Sequence, residues 1–236
     1  MSSTGVGANR KEWIIRGGNG SNKTLIDRLL EVRGISSEEA KKDFLNPLSI
    51  TLMHPNAFCD MPKAVDRIVK AIDEKENILI YGDFDADGVT STSVLMKTFA
   101  YLGAEVDYYI PDREAEGHGL NTKALVQLLT KKKPKLIITV DNGISSVEEV
   151  KFINSFGRDV IITDHHEAPD ELPPALAIIN PKSMNALDDK LTTAQLESMT
   201  SLAGVGVAFK LAQGVLERFN TVSYTHLRAH ETLSDL

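Results

Sequence analysis

The sequence predicts an α/β fold, built on a doubly wound, mainly parallel sheet with helices on both faces. Three observations predict it. Short apolar, β-prone runs recur at residues 78–81, 106–110, 136–140, 160–163 and 176–179. Stretches with helical apolar spacing separate the first four of them. The runs are continuous in their apolar character, as expected of strands buried on both sides.

Taken in order, residues 1–21 are rich in Gly, Ser and Asn and are expected to be a mobile N-terminus, with Trp13, Ile14 and Ile15 able to dock as an edge segment. Residues 22–76 read as a helical N-terminal segment. Leu25, Ile26, Leu29, Leu30 and Val32 follow helical spacing, and Ser36 with Glu39 is spaced as a capping box for a second helix. Pro47 and Pro55 bracket an irregular stretch, after which Ala64, Val65, Ile68, Val69 and Ile72 define a helix over 61–75. The sheet domain spans 77–220. Its helices are expected at 89–102 (stripe Val89, Leu95, Met96, Phe99, Leu102), 122–130, 146–156 and 207–219. Residues 221–236 stand apart as a tail.

Composition narrows the function classes. A chain of 236 residues can bury a sizeable core, and 42% hydrophobic with 25% charged residues is ordinary for a soluble protein. The net charge of −7 argues against gripping nucleic acid through overall charge, while leaving room for a local basic groove or a cation-lined phosphate site. A single cysteine, Cys59, excludes a disulfide framework and a cysteine-rich zinc site. With no apolar leader segment and no run of spanning length, the expected location is cytoplasmic, without a membrane.

The polar residues collect at strand ends. The run ILIYGDFDADG delivers Asp83, Asp85 and Asp87; LIITV delivers Asp141, then Asn142 and Gly143; DVIIT delivers Asp164, His165 and His166. Parallel strands put all these ends on one rim, where open α/β sheets bind ligands. A solvated acidic turn would account for one such cluster, but it would have to be invoked three times. Burying like charges bare is costly, so a cation among them is the better account. Asp and His together fit manganese better than calcium; magnesium stays open, and zinc is disfavoured without cysteine. Five carboxylates and one or two histidines are too anionic for one divalent ion. Two ions sharing a carboxylate suit in-line displacement at phosphorus. Arg113 fits either a phosphate contact or a plain surface position. His118, between two glycines, fits a structural or substrate-side place. Gly204-Val205-Gly206 opens a helix whose free amides could hold an anion, though a tight turn explains these glycines equally well.

In order and spacing, DFDADG, IPDREAEGHGL, VDNGI and TDHHE resemble the DHH phosphoesterase superfamily, and within it the single-stranded-DNA-specific exonucleases. FLNPLS, DMPKAVDRI, INPK and LAGVGVAFKLA are similar to further stretches of that group, so the resemblance covers about residues 23–220. It implies removal of nucleotides from the 5′ end of single-stranded DNA with two manganese or magnesium ions. It implies Asp83, Asp85, Asp87, Asp141 and His165 as metal ligands, with Asp141 as the bridge. Asp164 would orient its neighbours, His166 would contact the scissile phosphate, and Arg113 the terminal phosphate; His118, Gly204 and Gly206 stay substrate-side candidates on the residues alone. Single-stranded DNA, a single-strand-binding protein and a helicase are the implied partners.

There are departures. The segment TVSYTHLRAHETLSDL does not resemble the aspartate-bearing strand that follows in the family, and Asp235 lacks its surroundings. Residues 182–201 look like a lineage-specific insert. A fragment of reduced or no activity is therefore expected. The alternatives are a related phosphoesterase acting on short oligonucleotides, cyclic dinucleotides or pyrophosphate, and an inactive binding module. The latter typically loses the aspartates that this chain keeps.

Overall fold

The computed structural model describes residues 23–46 and 53–219. The expectations for Trp13–Ile15, Pro47 and the tail from 221 fall outside these residues. The chain divides into two units, residues 1–52 and 53–236. In the first, α1 (Leu25–Val32) is capped by Thr24, whose hydroxyl accepts the Asp27 N–H at 3.1 Å. Helix α2 (Glu38–Leu45) is capped by Ser37, which accepts the Ala40 N–H at 3.1 Å, so the cap lies one residue later than the Ser36 expected. Ser37 holds the extended backbone an N-cap requires. Lys41 ties the two helices by pairing with Asp27 at 3.1 Å as well as with Glu38 at 2.9 Å.

The second unit holds β1 (Ile78–Tyr81), β2 (Val106–Tyr109), β3 (Leu136–Val140), β4 (Asp159–Thr163) and β5 (Ala177–Ile179). They form one parallel sheet in the order β2-β1-β3-β4-β5. Helices α3 (Met61–Asp73), α4 (Ala86–Tyr101), α5 (Thr122–Lys131), α6 (Val147–Ser155), α7 (Thr193–Thr200) and α8 (Gly204–Arg218) surround it. Alternate strand residues feed two cores. Ile78, Ile80, Ile138 and Ile161 pack with Ile68 of α3, Phe99 of α4 and Leu211 of α8. On the other face Leu79, Ile137 and Ile162 pack with Leu125 of α5 and Ile153 of α6. Because α3 contributes Met61, Ala64, Val65 and Ile68 to the first core, it belongs with the sheet and not with the N-terminal pair.

This strand order reverses direction at β1, whose neighbours are β2 and β3. The crevice outside the carboxyl ends of β1 and β3 is the topological switch point where such sheets take their ligands. Two boundaries there differ from expectation. Helix α4 begins at Ala86 and not at residue 89, because Asp85 caps it, its Oδ1 accepting the Gly88 N–H at 2.9 Å. Val89, expected on the buried stripe, is 41% exposed, since the helix turns Ser91, Thr92, Leu95 and Phe99 inward. Helix α8 likewise starts at Gly204 and not at residue 207.

Candidate metal centre

Directly after β1 the chain must turn sharply so that α4 can start. A methyl on Gly88 would stand 2.4 Å from the Asp83 carbonyl oxygen, so glycine is what allows the first turn of α4 to close over the strand end. Asp83, with 4% exposure, is held under this turn, while Asp85 at the cap is exposed and Asp87 is half-buried in the first helical turn. After β3, Asp141 takes a left-handed backbone, φ 61°, unusual for a residue with a side chain. Its N–H still pairs with the Thr163 carbonyl at 3.0 Å, and the Asn142 amide donates to Val140 O at 3.0 Å. The strained residue is thus pinned with its carboxylate pointing into the crevice.

After β4, buried Asp164 organises both histidines. Its Oδ1 accepts the His165 N–H at 2.7 Å and the His166 N–H at 3.2 Å, and lies 2.7 Å from His166 Nδ1. Its Oδ2 accepts the Ile144 N–H from the loop after β3, at 3.0 Å. With Nδ1 engaged, His166 presents Nε2 to its surroundings.

Oxygen atoms of Asp83, Asp85 and Asp141 lie within 4.8 Å of one another, as do ligand atoms of Asp141, His165 and His166. Asp141 belongs to both groups. His165 Nε2 is 3.1 Å from Asp141 Oδ1 and 3.7 Å from Asp87 Oδ2. His118 Nδ1 lies 3.1 Å from Asp83 Oδ2, which places this residue against the carboxylate cluster. Arg113 stands 5.4 Å from the centre of the Phe84 ring, and His118 packs on the same ring at 4.4 Å. Phe84 was not singled out from the sequence; it lies between two aspartates, and only the fold shows that it carries both neighbours.

The start of α8 is engaged within the chain itself. The Gly204 N–H is not open to an anion, because it donates to Asp87 Oδ2 at 2.7 Å, with Val205 N–H donating to Oδ1 at 2.7 Å. At Gly206 a Cβ would meet the Leu202 side chain at 3.0 Å.

The electrostatics fit a cation. Asp141 is 2% exposed, its Oδ1 accepts no hydrogen bond, and its pKa is pushed up to about 8 by burial, then by the Asp87 and Asp85 charges. Asp85 is held below the usual carboxylate range by the Gly88 N–H. Burial works against the His166 imidazolium, but the Asp164 carboxylate bonded to it outweighs this and raises its pKa. A buried carboxylate that must take a proton when nothing else balances its neighbours, with only oxygen and imidazole donors nearby, suits manganese or magnesium.

Residues 77–233 match the family model of the DHH family, N-terminal domain. The chain belongs to the DHH family. The match runs beyond residue 220, into the segment that the sequence reading sets apart. This DHH chain is 45% identical over 192 residues to the single-stranded-DNA-specific exonuclease RecJ of Bacillus subtilis, covering 81% of this chain and 23% of that protein. It is 36% identical over 228 residues to RecJ of Haemophilus influenzae, covering 96% and 37%. The chain therefore spans between about a quarter and two fifths of the length of these relatives. In structure it superposes on exonuclease RecJ bound to manganese with a TM-score of 0.61 and 32% identity, over 71% of this chain and 40% of that one. RecJ of Thermus thermophilus in complex with Mn2+ gives 0.60 at 28% identity, over 83% and 25%. Among the described residues of the DHH chain, no single helix is long and apolar enough to cross a membrane.

Proposed function

We propose that this chain carries the metal centre of a RecJ-type exonuclease, a phosphodiester hydrolase acting at the 5′ end of single-stranded DNA in the cytoplasm, in DNA repair and recombination. One observation carries it: carboxylates and imidazoles from the ends of β1, β3 and β4 meet at the switch point with Asp141 common to both groups. Asp83, Asp85 and Asp141 would hold one divalent cation, and Asp87, Asp141 and His165 a second. When bound, such ions neutralise developing charge on phosphate oxygens and acidify water.

The chain's own residues do the rest. Asp164 holds His166 Nδ1 and favours the charged form of the ring, whose Nε2–H would face the scissile phosphate and donate to one of its oxygens. Arg113, braced on Phe84, would pair with a terminal 5′-phosphate. His118 steadies Asp83. A single-strand-binding protein and a helicase are the partners this role calls for. Net charge −7 favours one second reading, in which short oligonucleotides are the substrate and no long strand is gripped.

Calorimetric titration with Mn2+, paired with digestion of 5′-phosphorylated single strands, tests this. Expected are two manganese sites and slow, manganese-dependent shortening from the 5′ end. Asp141→Ala should abolish cleavage and weaken both sites at least tenfold. Unchanged manganese binding in that variant would refute the proposal. Cleavage of dinucleotides but not of longer strands would select the second reading.

A further inference from the structure

The start of α8 is built into the carboxylate cluster. Both oxygens of Asp87 accept backbone N–H groups there, from Gly204 and Val205, at 2.7 Å each. A methyl at Gly204 would stand 2.5 Å from Asp141 Oδ1 and 2.8 Å from its Cγ. That approach is closer than carbon tolerates, and its target is the buried oxygen that accepts no hydrogen bond. Helix α8 also packs along α4, whose first turn bears Asp87. Two helix N-termini, each with its partial positive charge, therefore converge on one group of acids. Among the described residues, the ion pairs of Asp83, Asp87 and Asp141 are with histidines alone.

From this we infer that the first turn of α8 is a positioning element of the metal centre, with Gly204 and Val205 acting through Asp87 and Asp141. The inference rests on the metal reading above. A carboxylate oxygen has two lone pairs, so an Asp87 that spends one per oxygen on the α8 amides still has others for a cation. The two amides hold its carboxylate, and His165 Nε2 lies 3.7 Å from Oδ2. Gly204 lacks a side chain because any would occupy the space in front of Asp141 Oδ1, where Asp141 and His165 face each other at 3.1 Å. The ion affected is the one on the Asp87–Asp141–His165 side. The three atoms nearest a methyl at Gly204 all belong to Asp141, none to Asp83 or Asp85.

The test compares the unsubstituted chain with Gly204→Ala by calorimetry with Mn2+ and by electron paramagnetic resonance. Gly204→Ala should retain one manganese site and weaken the other at least tenfold. The signal of a spin-coupled manganese pair should disappear at temperatures well below the variant's metal-free thermal midpoint. A merely structural glycine would move the midpoint and leave the pair signal. Two-ion binding by Gly204→Ala equal to the parent overturns the inference. Should that variant fail to fold, hydrogen exchange on the unsubstituted chain decides. The Gly204 and Val205 amides should slow in step with manganese occupancy, and unchanged exchange at saturation overturns the inference. A parent chain that binds no manganese would sink the metal reading itself, and this inference with it.

Discussion

Asp141 is where sequence, strain and charge meet. The sequence marks it only as an acid after an apolar run, and nothing local reveals its left-handed backbone or its buried oxygen without a donor. Both follow from tertiary contacts, with β4 holding its N–H and Gly204 approaching its side chain. With its pKa near 8, Asp141 is mostly protonated at pH 7 in the absence of metal, and a divalent cation must displace that proton. Manganese titrations at pH 7 in buffers of different ionisation enthalpy should therefore show about one proton released per chain, falling toward zero above pH 9. No release at pH 7 would contradict this. The same shift links to stability. The folded chain binds a proton here that the unfolded chain has lost, so metal-free stability should fall as pH rises from about 4 to 8. The raised His166 pKa acts in the same direction, its contribution being lost as pH passes through the folded value. Saturating manganese should flatten the profile, which thermal melts across pH would show.

At the scale of elements, the periodicities were legible almost throughout. The strand at 136–140 is found as expected, and the helix at 122–130 extends by one residue, because continuous apolar runs and helical stripes are local signals. The starts of α4 and α8 were not. Both helices begin on residues that serve the site, Asp85 as a cap and Gly204 against Asp141, and both lie upstream of the apolar stripe that marks a helix in sequence. The loop carrying Arg113 and His118 was legible as a loop, but its anchoring was not. Tyr109 at the end of β2 donates to Glu116, its Oη lying 2.6 and 2.7 Å from the two carboxylate oxygens, and Tyr81 Oη accepts the Asn121 N–H at 3.1 Å. Two strand-end tyrosines thus hold both halves of the loop. Tyr109→Phe should cost roughly 1.5–3 kcal/mol of stability, as for a hydrogen bond to a charged group. It should also raise KM for 5′-phosphorylated strands more than it lowers kcat, since Arg113 moves and the acids do not. An unchanged KM in steady-state assays would contradict this.

On the scale of the whole molecule, the order β2-β1-β3-β4-β5 explains why acids so far apart in sequence become neighbours. β1 and β3 lie side by side with about sixty residues between their ends, and β4 adjoins β3, so the rim collects DFDADG, VDNG and TDHH without any contribution from local pairing. A parallel sheet could be inferred from alternating strands and helices, and the rim from that. The strand order could not, because strands of equal length and apolar character carry no label of their neighbour. The sheet is filled on both faces by apolar side chains, so its folding should not need the cation. Manganese should raise the thermal midpoint by mass action without altering the far-ultraviolet circular dichroism, and a gross change in that spectrum would argue that metal builds the fold.

Anomalous diffraction from crystals of this chain soaked in Mn2+ tests the convergence of these acids most directly. Two peaks should lie on either side of Asp141, one against Asp83 and Asp85 and the other against Asp87 and His165. Manganese bound elsewhere, with Asp141 touching neither ion, would contradict it.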